Sequence, residues 1–539
     1  MVSIKVYKEK YAGVFGGLGF HNNEALLYPI IEKEHFDQIL CKCYREIAPG
    51  FMRTFGGYDD WSKESMDAFA AYYHRMQRIT DTPIYLTAAM GKVIYTDEDL
   101  RLYCDRVADN LLYLKKEKDV GHIRYYCFSN ELSCGTHHVL KNDLPRLKWY
   151  HQGLYSAFVR KMLDVGLLAT DGTGYPEWPT AEWALENMHD ITEDLSLHIY
   201  ERQHDIYDLS FYDFFYDKCK EICDLAIRKG GRRLLLTEFG IQDGSGTHLQ
   251  FGNGVIRDLC RYYEDPEKEA YCALMLAEMI FAAINAGVFA MAYWSYTDYP
   301  SPYSCAYSAK DGFAKAWGSC ERFVSTTTDT KYNKFGVFKW EDDGDHSARS
   351  HYWCLAPLMK LFKRNSYVLN MENSDPMLRM CGVMNRDGSV SLGIVNRSKE
   401  EASIQLDTQL FTKGIRVYEY DSKNVPANPF GDIQAASATL EPQNASYILK
   451  PESVTFFTTD YIEKAAPVVA ENLALQGGIL TWSPVADPEH CYYRVYASHT
   501  PDFSPNSGNQ IASTVATDLP VTNNSLYYKV LSVDNSGNV

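Results

Sequence analysis

Two glutamates stand where a buried strand would open into a loop. Glu131 closes the apolar run Ile123-Arg-Tyr-Tyr-Cys-Phe-Ser-Asn130, and Glu238 closes Arg233-Leu-Leu-Leu-Thr237 just ahead of Phe239-Gly240. A carboxylate at the mouth of an apolar core loses solvation that an ion pair or a function must offset. Two of them in one domain suit proton transfer paired with nucleophilic attack. Taken singly, each reads equally well as a salt-bridged strand end.

The elements that must hold this pair are legible from hydrophobic periodicity. Short apolar runs predict strands at Tyr11–His21, Phe51–Gly57, Pro83–Ala89, Ile123–Asn130, Leu167–Thr173, Asp194–Tyr200, Arg233–Phe239 and Val288–Tyr296. Amphipathic stretches between them, such as Asp97–Lys116, Asp143–Val165 and Glu267–Ala286, predict helices. Strands alternating with helices pair in parallel through right-handed crossovers. Eight such units over this length predict an α/β fold, a (β/α)₈ TIM barrel. Glu131 then ends strand four and Glu238 strand seven, and strand ends converge at the carboxyl-terminal face where barrel active sites lie. Cleaving a glycosidic bond with retention needs two carboxyl groups roughly 5–5.5 Å apart, and this placement can supply them.

Asn130-Glu131 and Thr237-Glu238-Phe-Gly make the barrel resemble clan A of the retaining glycoside hydrolases. That clan carries its acid/base on an Asn-Glu at strand four and its nucleophile on a Glu ending strand seven. The resemblance spans about residues 11–300 and extends to β-xylosidase-like and related families. It implies that Glu131 is the acid/base and Glu238 the nucleophile. It also implies a sugar 2-hydroxyl contact for Asn130, which otherwise reads as a loop cap. His198 and Tyr200 share one strand face; Tyr200 would hold the nucleophile ionised and His198 would touch sugar, or both are satisfied core residues. Arg53 would keep Glu238 charged by proximity or serve as a structural ion pair. Trp294 would form an apolar floor under the sugar or pack the barrel. Phe20, His21, His137 and His138 are weaker subsite candidates. The mechanism requires no metal and no cofactor, and no set of residues has metal-ligand spacing.

The formal net charge of −17 disfavours nucleic acid and anionic membrane as partners. No apolar run appears long enough to cross a bilayer, and the first ten residues lack the core of a signal peptide. The 14 cysteines fall mostly in strands and helices, Cys127, Cys223, Cys260 and Cys272 among them, and read as buried thiols. These points predict a cytoplasmic protein.

From about Ser366 the texture changes to alternating strands, predicting a small β-sandwich over 366–462 after a barrel domain over 1–365. Leu480-Thr-Trp482, Tyr492-Tyr-Arg-Val-Tyr and Leu526-Tyr-Tyr-Lys-Val over 463–539 resemble a fibronectin type III module. Such modules accompany secreted bacterial enzymes, which points away from the cytoplasm. The resulting expectation is a retaining β-glycosidase acting on an oligosaccharide or glycoconjugate. The rivals are a transglycosidase using the same residues and a non-catalytic carbohydrate-binding protein; oligomeric state is not readable from the sequence.

Overall fold

In the computed structural model, the first strand, β1 (Val2–Phe15), runs outside the barrel, which begins at β2 (Gly17–His21). The description covers the chain except residues 29–30, 77–80, 89–92, 133–139, 203–205, 243–265, 301–331, 334, 341–344, 408–410, 412–413, 427, 462–464 and 523–525. The single strand predicted over Tyr11–His21 is therefore corrected: the chain divides at Gly16-Gly17. Gly17 has φ +142°, and a Cβ there would lie 2.5 Å from the Gly50 carbonyl oxygen, so only glycine can pass this point. β1 pairs antiparallel with Ser366–Glu372 and parallel with Ala402–Leu406, which makes it part of the β-sandwich.

The barrel closes in chain order through β2, β3 (Phe51–Phe55), β4 (Ile84–Thr87), β5 (Ile123–Cys127), β6 (Gly166–Thr173), β7 (Asp194–Arg202), β8 (Leu234–Gln242) and β9 (Ala290–Tyr293). All neighbouring pairs are parallel. Alternate residues point inward: Phe51, Tyr85, Tyr125, Cys127, Leu168, Leu235, Ala290 and Ala292 form one buried cluster in the barrel interior. The other parity faces the helices. Among these, Asp97–Leu112 starts at Thr96, whose side chain accepts from the Asp99 N–H, with three acids in its first turn.

Helix Pro266–Ala286 is long and apolar enough by composition to cross a bilayer. Glu267, Lys268, Glu269 and Glu278 interrupt it, so the sequence shows no unbroken apolar run of that length there. Nearly all of the helix is buried, packed against the barrel, helix Phe211–Gly230 and sandwich strands Leu378–Met384 and Val390–Asn396. A helix covered on all sides can be apolar on all sides.

The sandwich has its own core of Ile4, Val6, Leu392, Ile394, Ile404, Val417 and Phe457. Beyond it, two three-stranded antiparallel sheets enclose Leu480, Trp482, Tyr493, Val495 and Leu519. The Trp482 and Tyr493 rings meet edge to face with centroids 5.4 Å apart.

Candidate active site

Two β-bulges aim acids into the barrel. On β8 the register against β7 slips between Leu197/Leu236 and His198/Glu238, leaving Thr237 as an extra residue. Strict alternation from Leu235 and Thr237 would turn Glu238 out toward the helices. The bulge lets both Thr237 and Glu238 face the interior. On β6 a matching slip between Thr170 and Gly172 leaves Asp171 as the extra residue, with φ +54°. Its side chain is fully buried inside the barrel mouth. Glu131, four residues beyond Cys127, keeps the inward parity and also has φ +54°. The Glu131 N–H donates to the Asp171 carbonyl oxygen at 2.8 Å, tying the loop after β5 to the β6 bulge.

Arg53, rising from β3 and fully buried, organises the group. Its Nη1 pairs with Glu238 Oε1 and lies 2.7 Å from His21 Nδ1. Its Nη2 donates to Asn130 Oδ1 at 2.6 Å and to Asp171 Oδ2 at 2.9 Å. This commits the Asn130 oxygen to the guanidinium and leaves its amide NH₂ as the donor end. Tyr200 donates to Glu238 Oε2 at 2.8 Å. His198 stands at the centre: Nδ1 is 3.1 Å from Glu131 Oε1 and 3.4 Å from Glu238 Oε2, and Nε2 is 3.2 Å from Asp171 Oδ1. Thr237 donates to Asp171 Oδ1 at 2.6 Å and Thr87 to Asp171 Oδ2 at 3.3 Å.

These contacts set the charges. Burial opposes a charged His198, but Glu238 and Asp171 overcome it and raise the ring to about 10. Burial pushes the Asp171 carboxyl up, yet His198, Arg53 and Thr237 together drive it far below the usual carboxylate range. Burial also pushes Glu238 up, and the Glu131 charge adds to the rise, while His198, Arg53 and Tyr200 pull it back. His21 goes the opposite way from His198: burial, then Arg53 and His198, hold it well below the ordinary histidine value.

The sequence-derived candidates Glu131, Glu238, Asn130, Arg53, His198, Tyr200 and His21 meet in this one cluster. Trp294 joins at its edge, with its ring centroid 4.3 Å from that of His21 and 6.0 Å from that of Phe55. Phe20 does not join. It has the outward parity on β2 and packs against Tyr296 and Tyr293 behind the barrel wall. His137, His138 and Cys260 lie outside the described residues, and the ten described cysteines are buried. Sequence reasoning missed Asp171, Thr237 and Thr87. The signal for Asp171 was present in Leu167-Leu-Ala-Thr-Asp171-Gly, an acid interrupting an apolar run as Glu131 and Glu238 do.

Among the described residues, Glu131, His198 and Glu238 bring donor atoms within 4.8 Å of one another, close enough to share a cation. A cation there would need a lone pair on His198, and carboxylates against both ring nitrogens favour the doubly protonated ring. The same spacing puts a carboxylate oxygen of Glu131 within 4.8 Å of one of Glu238.

No protein-family model matches the chain, and no curated protein matches it in sequence. Solved structures do match it. The catalytic domain of GH30 xylanase C from Talaromyces cellulolyticus is 14% identical, with a TM-score of 0.55 over 85% of this chain and 99% of that one. The GH51 arabinofuranosidase from Xanthomonas axonopodis pv. citri is 13% identical, with a TM-score of 0.57 over 85% and 99%. A conserved exported protein from Bacteroides fragilis is 10% identical, with a TM-score of 0.56 over 85% and 100%. At these identities the likeness is one of fold, a (β/α)₈ barrel carrying β-sandwich strands.

Proposed function

We propose that the protein is a retaining β-glycosidase acting on a carbohydrate chain or glycoconjugate by double displacement. Glu131 protonates the leaving oxygen while Glu238 attacks the anomeric carbon; Glu131 then takes a proton from the water that releases the sugar. The observation that carries this reading is the pair of facing carboxylates, with oxygens within 4.8 Å of each other at the barrel mouth. That spacing suits the close pair of a retaining site better than the roughly 6.5–9.5 Å that leaves room for water in an inverting one. Glu238 is set for attack by a guanidinium and a phenol on its two oxygens. Glu131 is the more exposed of the two, its side chain 22% accessible, as an acid that meets both an aglycone and water must be. Two of the named neighbours are a xylanase and an arabinofuranosidase, which supports a pentose-containing glycan as the substrate class.

The test uses aryl β-glycosides and azide. Glu131→Ala should spare the first step with an activated aryl group, accumulate glycosyl-enzyme, and give a β-glycosyl azide on rescue. Glu238→Ala should abolish hydrolysis and yield the α-glycosyl azide. Reversed stereochemistry would exchange the two roles, and unaltered rates in both variants would remove the site. A sugar acceptor added to the parent separates hydrolysis from transglycosylation.

A further inference from the structure

We propose that Asp171 is a positioning residue of this site. It orients the His198 ring and keeps it doubly protonated, so that one Nδ1–H serves Glu238 in the first half of the reaction and Glu131 in the second. The inference rests on the double-displacement reading above.

The geometry leaves His198 little choice. Both ring nitrogens face carboxylate oxygens, Nε2 toward Asp171 at 3.2 Å and Nδ1 toward Glu131 at 3.1 Å and Glu238 at 3.4 Å. A carboxylate only accepts, so each nitrogen must carry a proton to bond there. Arg53 Nη2 also lies 3.3 Å from Nε2, but its two hydrogens are spent on Asn130 and Asp171, so this contact joins two donors around one acid. The charged and titratable groups around the ring come from every wall of the mouth: His21 on β2, Arg53 on β3, Glu131 after β5, Asp171 on β6, Tyr200 on β7 and Glu238 on β8. Tyr85 on β4 lies near Arg53 and Asp171. Of the two imidazoles, only His198 touches Asp171, and only His198 is driven toward the charged form. Asp171 is itself fixed by Thr87, Thr237 and Arg53. Its carbonyl anchors the Glu131 backbone, and its carboxylate anchors the residue before Glu238.

The cluster contains three carboxyl groups and two cations, Arg53 and His198. One added proton makes it neutral, and the acid step requires that proton on Glu131. As Glu238 attacks, the glycosidic bond breaks and the leaving oxygen takes the Glu131 proton. Glu238 is then an uncharged ester and Glu131 a carboxylate. The His198 charge, left with one partner on that side, now holds Glu131 ionised to accept a proton. When water adds to the anomeric carbon, its proton goes to Glu131, Glu238 leaves as a carboxylate, and the imidazolium recovers both partners. His198 transfers no proton in this cycle; only its counter-charge changes.

The experiment compares the parent with Asp171→Asn. In nitrogen-labelled parent protein, the His198 ring should stay doubly protonated through pH 8 and titrate near 10. In the variant that titration should fall by at least two pH units. kcat should drop about 10²-fold. The alkaline limb of the pH–rate profile should move to higher pH, because Glu131 beside a neutral ring holds its proton more tightly. A group with a raised folded-state pKa stabilises fully below its unfolded value and loses that effect as pH rises through the folded one. The parent's thermal midpoint should therefore fall between about pH 6.5 and 10 through His198, and this slope should flatten in the variant. A singly protonated His198 at pH 7 in the parent overturns the proposal. So does a variant that loses activity with that limb and the ring titration unmoved, the outcome for a merely structural acid. If Asp171→Asn does not fold, the parent's ring titration decides alone, since a ring doubly protonated through pH 8 supports the proposal and a singly protonated one at pH 7 overturns it. A parent with no glycosidase activity would defeat the functional reading alone, since the ring titration and the melting slope need no substrate.

Discussion

The barrel mouth and the junction with the last β-unit both bury several charges, yet only one of them is balanced. At the junction, Lys42 is fully buried and pairs with Glu46 at 2.8 Å and Asp432 at 2.5 Å. Arg494 reaches Asp432 at 2.9 Å, Ser513 and Gln510 donate to the same oxygen, and Tyr492 donates to Glu46. Two cations meet two anions, drawn from helix Cys41–Ile47, the loop at 432 and strand His490–Ser498. At the mouth, three carboxyl groups meet two cations, and one of the three, Glu131, is open to solvent. Buried charge by itself therefore marks no active site. A surplus of one sign, beside an opening, does, because it forces a proton to have a home there.

The difference predicts opposite responses to removing one anion. Glu238→Gln should lower kcat by about 10³-fold or more, while the thermal midpoint holds or rises as the surplus charge disappears. Asp432→Asn should do the reverse, leaving Lys42 and Arg494 with Glu46 alone. Breaking a buried pair of this kind costs about 3 kcal/mol or more, and turnover of the folded fraction should be unchanged. Calorimetry alongside initial rates measures both, and a large stability loss in Glu238→Gln would show that the mouth is held together as the junction is.

Smaller effects sharpen the picture of the mouth. Trp294→Ala should lower kcat/KM roughly 10- to 100-fold, the worth of one aromatic face against sugar. Tyr200→Phe should lower kcat about tenfold through the lost hydrogen bond to Glu238, with KM little altered. Unchanged kinetics and melting in both variants would return these residues to barrel packing.

The same bulges explain what sequence reading could reach. Short apolar runs located the eight barrel strands, and period-two alternation brought His198 and Tyr200 to one face. Phe20 and His21 were read together as subsite candidates, although they share a dipeptide and face opposite sides of the wall. Alternation fails where a strand gains a residue. Glu238 was found by its position at a strand end, although strict parity would have turned it away from the interior. Asp171 had no such help, since a bulge is set by pairing with the neighbouring strand and leaves no mark in local periodicity. β1 was misread for a related reason: its apolar pattern continues into β2, and only the crowding at Gly17 shows that the chain changes sheets there. Residues 243–265 and 301–331, which follow β8 and β9 in the sequence, carry no periodic pattern from which a substrate could be inferred.

The smallest effect tests whether the junction owes its strength to burial. Lys33 also bridges to the last unit, lying 3.1 Å from Asp518 and 3.2 Å from Asp37, but its side chain is 54% exposed. Water and salt screen such a pair, and ordering a lysine side chain opposes its attraction. Lys33→Ala should therefore change stability by less than about 0.5 kcal/mol, and 0.5 M salt should erase even that. Lys42→Met, which strands Glu46 and Asp432 in a dry interface, should cost several times more and should be nearly insensitive to salt. Urea titrations of both variants, with and without salt, give the ratio. If Lys33→Ala proves as damaging as Lys42→Met, the last unit is held by its exposed rim, and the balanced buried cluster is a consequence of docking instead of its cause.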